Sequence, residues 1–289
     1  MLETLINPRH AEKKPWHMIF VGILYASLSV ALADLIFLRD PVFQKHISII
    51  VVFFTVMFSL PFMFYVIKQE EIKDIKIEEE KKLIKEHGRT LSSLLFLFLG
   101  YTIAFSLLYL ILPANITSSN FKIQVETYCS INSPHNFESC VKGHLTEVEP
   151  VIKPYSIKEG MHYVSSILSN NFNVLILVLV FSFIFGAGAI FILAWNASVI
   201  AAAIGIFAKT PRGLHKGLLR YLFHGLPEMA AYFVAALAGG IISIAVIRHE
   251  FGKERFWHVL QDSLDLIILA LVILIIAAFL EVFVTPLLF

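Results

Sequence analysis

Charge is scarce in this chain: of 289 residues only 16% are Asp, Glu, Lys or Arg, against roughly a quarter in an average soluble domain. Neither sign prevails, because 22 acidic and 23 basic residues leave a formal charge of +1, and no nucleic-acid partner is expected. Cysteine is nearly absent, with two residues, too few for a Cys-rich metal module. Also missing are a Gly-rich phosphate loop, a His-Glu-x-x-His pair and a defined nucleophile with its base, so nothing directs the reading to a known catalytic chemistry, and no cofactor is expected. What is there is apolar. With 57% hydrophobic residues and a mean hydropathy of +0.77, most of the chain belongs in lipid, and disordered or coiled-coil readings are excluded.

Crossing about 30 Å of hydrocarbon takes roughly 20 helical residues. Six runs qualify: Trp16 to Leu38, Ile47 to Ile67, Leu91 to Leu112, Val174 to Trp195, Leu226 to Ile247 and Leu264 to Val284. The first is too long for a cleaved signal peptide and reads as a retained helix. Trp16, Trp195 and Trp257 fall at the expected helix ends or in a short loop, as suits headgroup-level rings. Placing the N-terminus inside puts fourteen basic residues in 51 cytoplasmic positions, against nine in 77 outside. This favours N-in, C-in and six crossings of the cell membrane. Both cysteines, Cys129 and Cys140, then lie in the exported segment 113–168, where a pair eleven residues apart is expected to be oxidised to a disulfide.

The expected organisation has three parts. Residues 1–112 form a three-helix membrane region whose charged cytoplasmic stretch, 68–90, reads as a solvated helical extension or hairpin laced with i,i+4 ion pairs. Residues 113–168, with four prolines and little periodicity, form a small extracytoplasmic loop subdomain of low secondary-structure content, and Asn115-Ile116-Thr117 is an acceptor sequon in any cell that glycosylates. Residues 169–289 form a C-terminal membrane region. The fold class is all-α, a polytopic transmembrane bundle of six spanning helices plus a half-helix.

That half-helix follows from the run between Asn196 and Ala208, about 13 residues, or roughly 20 Å of helix and too short to cross. A re-entrant or interfacial piece accounts for it better than two shortened spans split at Gly186-Ala187-Gly188, since irregular backbone facing lipid is costly. Residues 213–224 then read as an interfacial amphipathic segment, Gly225 as a turn, and Pro227-Glu228 as the first turn of helix five. Ala231, Ala235, Gly239 and Ser243 recur every four residues, a small-residue stripe serving either an intramolecular seam or a contact between two copies. Ala197, Ala201 and Gly205 make a shorter one.

Ionisable groups within membrane segments are costly and therefore informative. Asp34 reads as a snorkelling or capping group, and Asp265 as a first-turn carboxylate of helix six. Glu281 differs, closing a long uncharged run one turn before Thr285-Pro286. The expected topology sends Asn196, His224, Glu228 and Glu281 toward the cytoplasmic side, where they form a polar intramembrane cluster able to tie broken helices together, hold a proton or ion, or bind a metal.

The Gly-rich helix ending in Trp195-Asn196, the His224-Gly225-Leu226-Pro227-Glu228 stretch with its Ala/Gly-rich helix, and Leu280-Glu281 through Thr285-Pro286 together resemble the stage II sporulation protein M family. The resemblance covers about residues 165–286. Ala197 stands where members often have Gly. It implies a multi-pass membrane protein that, in sporulating bacteria, anchors cell-wall hydrolases, with no established enzymatic activity. Scaffolding of other membrane or extracytoplasmic proteins is the expected role. The alternatives are a transporter or channel built on the broken helices, and a membrane-embedded metal-binding enzyme.

Overall fold

The computed structural model describes residue 11 and residues 13–76, 80–132, 137–143, 157–185, 190–247 and 254–288. Every long apolar run in them is helical, as lipid demands of a backbone that has no water to bond. In chain order the helices are α1 (His17–Phe37), α2 (Ile47–Lys76), α3 (Glu80–Ile111), α4 (Ala114–Asn120), α5 (Lys122–Asn132), α6 (Phe137–Gly143), α7 (Ile157–Phe185), α8 (Ile190–Ala208), α9 (Leu214–Ile247), α10 (Glu254–Phe279) and the short α11 (Thr285–Leu288). A 3₁₀ turn, Phe43–His46, precedes α2, another, Pro211–Gly213, precedes α9, and a π turn, Leu280–Val284, joins α10 to α11.

Seven of these helices are long and apolar enough to cross a membrane. The all-helical bundle expected from sequence is therefore present, with different boundaries in its second half. Residues 190–208 are one continuous helix of 19 residues, so Asn196 opens no half-helix and Trp195 lies inside a helix rather than at its end. The glycines at 186 and 188, where a split is the less favoured alternative, lie outside the described residues, between α7, described to Phe185, and α8, described from Ile190. The segment 113–168 is more helical than its prolines suggested, since α4, α5 and α6 occupy much of 114–143 and α7 starts at Ile157, ahead of the expected boundary at 169. Asp265 is an exposed mid-helix residue of α10, not a first-turn one.

Two ends of the bundle can be told apart by their contacts. At one, Cys129 and Cys140 are joined as a disulfide that ties α5 to α6. There Asn120 donates to Asp34 near the end of α1, and Gln124 donates to the Ser48 carbonyl at the start of α2. Tyr109 near the end of α3 packs on Phe121, centroids 5.3 Å apart. At the other end α2 and α3 form the charged hairpin, and Ile67 of α2 lies against Gly240 late in α9. Gly205 late in α8 meets the Tyr109 ring, and Tyr221 early in α9 faces Tyr128 of α5. Successive long helices thus alternate direction, α1, α3, α8 and α10 running toward the disulfide end. Seven traverses leave the start of α1 and the end of α10 at opposite ends of the bundle, where six crossings had placed both chain termini together.

Each helix buries one stripe and leaves the other apolar. On α1 the buried residues Met18, Gly22, Tyr25, Ala26, Ser29, Val30 and Ala33 recur at intervals of three and four, while Phe20, Leu24, Leu28 and Leu35 are exposed. Lipid is as apolar as these side chains, so burying them against a neighbour gains little hydrophobic free energy, and close packing decides the seams. Gly22 and Gly100 show how close: a Cβ built on Gly22 would sit 2.9 Å from the Gly100 Cα, so the backbones of α1 and α3 touch.

Candidate functional site

The continuity of α9 shapes the site. Gly225 and Pro227 lie inside a helix of 34 residues, and neither turn nor break occurs between His224 and Glu228. Proline forfeits one backbone hydrogen bond, whereas a full break would strand several backbone groups at several kcal/mol each in a dry environment, so continuity wins. The expected interfacial segment 213–224 is consequently the first three turns of α9. Glu228 is not a first-turn residue, and His224, Glu228 and Tyr232 share one face at successive i,i+4 steps.

The facing element is the π turn at the end of α10. The Thr285 backbone N–H reaches back five residues to the Leu280 carbonyl, and the Thr285 hydroxyl donates to the same oxygen at 3.1 Å. The extra residue of this turn carries Glu281 to within 4.0 Å of His224 Nε2, and Thr285 Oγ1 lies 3.3 Å from His224 Nδ1. With its own hydrogen given to Leu280, Thr285 accepts from Nδ1–H, which leaves Nε2 facing Glu281 at ion-pair rather than hydrogen-bond distance. On α9 the Tyr232 hydroxyl donates to Glu228 Oε1 at 2.9 Å. The Glu228 and Glu281 carboxylates are near enough to repel when both are ionised. Closure is incomplete, since the Glu281 side chain remains 35% exposed against 14% for His224.

Three of the four residues singled out from sequence therefore converge. Asn196 does not join them, because its amide donates to Ile192 O one turn back on α8, at 2.8 Å. The cluster also lies toward the disulfide end, not the hairpin end that the expected topology had assigned to it, since Tyr221, one turn before His224, is 3.4 Å from Tyr128 of α5. Tyr232 and Thr285 complete the site. The Glu228-x-x-x-Tyr232 spacing was readable, but only on an unbroken helix. Among the described residues no group of three or more His, Cys, Asp or Glu is placed to hold a metal ion.

Two further polar groupings escaped the sequence reading. At the disulfide end, Gln124 donates to Ser48 O at 3.1 Å and to Ser198 Oγ at 3.3 Å, and Asn120 donates to Asp34 at 3.1 Å, so Asp34 anchors α4 rather than snorkelling. At the hairpin end, Glu70 is fully buried and accepts from Lys73 Nζ and Thr90 Oγ1, both at 2.7 Å, and meets His87 Nδ1 at 2.6 Å. The hairpin is helical as expected, yet its core is a buried carboxylate with three partners, and its ion pairs Lys73–Glu70 and Arg89–Glu86 are spaced i,i+3. The small-residue stripe Ala231, Ala235, Gly239 and Ser243 is wholly buried. At Gly239 it meets α7, where Ser182 donates to the Ala236 carbonyl at 2.5 Å, so this stretch is an intramolecular seam.

A lipid-exposed bundle of seven candidate spans, closed by a His-Glu-Thr contact at a π turn and capped by a disulfide-linked helical layer, defines a polytopic α-helical membrane protein. Residues 35–286 match the family described as Stage II sporulation protein M, most of the chain, and the protein belongs to that family. The match takes in α2, α3 and the last residues of α1, which the sequence resemblance, drawn from 165–286, leaves out. An uncharacterized protein of Methanocaldococcus jannaschii is 32% identical over 124 residues, 42% of this chain and 70% of the relative. A second uncharacterized protein of the same organism is 23% identical over 211 residues, 71% of this chain and 87% of the relative. No solved structure matches.

Proposed function

We propose that this chain is a membrane anchor that presents its disulfide end, facing out of the cytoplasm, as a docking platform for other membrane or extracytoplasmic proteins. The observation that carries the reading is the attachment of α4–α6 to the bundle. Asn120, Gln124 and Tyr128 bond to four different spanning helices, and the disulfide closes α5 on α6, so the layer forms a fixed face. A platform for partners benefits from that rigidity, since less ordering entropy is lost on docking. The disulfide fits an oxidising compartment, and the seven basic residues of 68–90 fit the cytoplasmic side, which makes the N-terminus inside and the C-terminus outside. In this reading the His224–Glu281–Thr285 contact ties α9 to the π turn, and the anchoring role agrees with what the family resemblance implies.

Reconstitution into proteoliposomes tests it against a transporter, the reading that two intramembrane carboxylates beside a π turn would otherwise favour. Anchoring predicts no proton or ion flux, and a lowered unfolding midpoint in detergent for Glu281→Gln. It also predicts that a photocrosslinker at Ser130 or Phe137 captures a discrete extracytoplasmic protein in cells, while one at the lipid-facing Phe20 does not. Flux abolished by Glu228→Gln or Glu281→Gln with stability unchanged overturns the reading.

A further inference from the structure

We propose that a cavity at the disulfide end binds the headgroup of an anionic phospholipid carrying free hydroxyls, drawn from the adjoining leaflet. The cavity, of about 630 Å³, opens between the 3₁₀ turn ahead of α2, the end of α3, and helices α4 to α6. Two cations converge on it from separate elements, Lys45 of that turn and Lys122 at the start of α5. Both are exposed, and among the described residues neither has a carboxylate within ion-pair distance. With no described carboxylate in ion-pair reach of either, both ammonium groups are free to give charge-assisted hydrogen bonds to a phosphate that enters the hollow.

The rest of the lining selects among anions. The Ser118 and Ser119 hydroxyls donate to the Asn115 carbonyl, at 2.9 and 3.2 Å, which leaves their oxygens as acceptors. Glu126, also on the cavity, is an acceptor when ionised. These three groups suit a headgroup that donates hydroxyls beyond its phosphate, as a glycerol or inositol headgroup does, and they offer nothing to a second anionic group. The wall is apolar, with Tyr109 and Leu112 among its residues. Leu112 directly follows the last residue of the spanning helix α3, so this wall continues to the hydrocarbon edge and favours an amphiphile over a soluble anion. A choline lipid has the phosphate but no hydroxyl to give, and its quaternary ammonium meets two lysines.

This inference is independent of the anchoring role, and its readout is lipid retention alone. Native mass spectrometry of the purified full chain, titrated with phosphatidylglycerol or phosphatidylcholine in a non-ionic detergent, measures it. The expected result is a phosphatidylglycerol preference of about tenfold, lost in the Lys45→Gln/Lys122→Gln double variant with its unfolding midpoint unchanged. Val125→Trp, which fills the cavity, lowers retention as well. Equal retention of both lipids overturns the proposal, as does a preference that survives either variant. Displacement by glycerol 1-phosphate at matched concentration also overturns it, by showing a site for soluble anions.

Discussion

A single buried carboxylate sets the energetics of the hairpin end. Glu70 is held by an ammonium, an imidazole and a hydroxyl, and removing it takes from all three the buried carboxylate they share, which is why truncation costs more than the interaction itself is worth. Glu70→Ala is expected to lower unfolding stability in detergent by about 3–5 kcal/mol, and Glu70→Gln, which keeps an acceptor for Thr90, by about half as much. Equal losses for the two would show that volume rather than charge matters there. Tyr232→Phe makes a companion test within the candidate site. It deletes only the hydroxyl that donates to Glu228, and a loss of about 1.5–3 kcal/mol is expected, with coupling to Glu228→Gln in a double-mutant cycle. Residues such as these were legible to different degrees. His224, Glu228 and Glu281 stood out because charge in an apolar run is rare, whereas Glu70 and His87 sat among thirteen other charged residues of 68–90 and carried no mark of burial. Burial of a charge is decided by which helix turns toward which, and a single segment does not encode that.

Helix continuity shows the same limit one level up. Glycine and proline two positions apart punctuate a chain in water, where freed backbone groups find solvent, but α9 passes through Gly225 and Pro227 because lipid and packed neighbours offer no such exchange. A direct consequence follows for Gly225. A Cβ there meets only Ile200 Cδ1, at 3.7 Å, so Gly225→Ala is expected to be neutral or to raise stability by about 0.5–1 kcal/mol through helix propensity. A sharp turn at that position would make the same substitution destabilising, and thermal unfolding in detergent separates the two. Gly100→Ala goes the other way. Its Cβ would press on the α1 backbone at Ile19 and Gly22, and since backbone yields only if the helices part, a loss of about 1–3 kcal/mol or more is expected. The stripe on α9 was readable from its four-residue period, while the Gly22–Gly100 contact was not, because each of those glycines stands alone in its own run.

For the whole molecule, composition set the solvent and the uninterrupted apolar runs set the helical class, because runs of that length satisfy their backbone in lipid as helices, whereas barrel strands are shorter and alternate. The number of crossings was harder to read. The expected count of basic residues leaned on Lys209, Arg212, Lys216 and Arg220 lying with the hairpin, but α8 runs to the disulfide end and carries the 209–213 connection there, so four of the fourteen supporting charges change sides. Arg220 shows how such a charge is accommodated, its guanidinium lying 4.8 Å over the Phe207 ring and 5.8 Å from Tyr221. Seven traverses with the disulfide end outside, the orientation proposed above, make one clear statement about accessibility. Ser130 on α5 and Leu288 at the end of α11 are both exposed at the disulfide end, whereas Lys68 is exposed on the hairpin. Single cysteines introduced at these positions, in a chain whose own two cysteines are bonded and unreactive, are expected to react with an impermeant maleimide added outside intact cells at 130 and 288 and not at 68. Lysis should expose Lys68→Cys to the same reagent. Protection of Leu288→Cys in intact cells together with labelling of Ser130→Cys would restore an even number of crossings and place the His224–Glu281 contact in a differently threaded bundle.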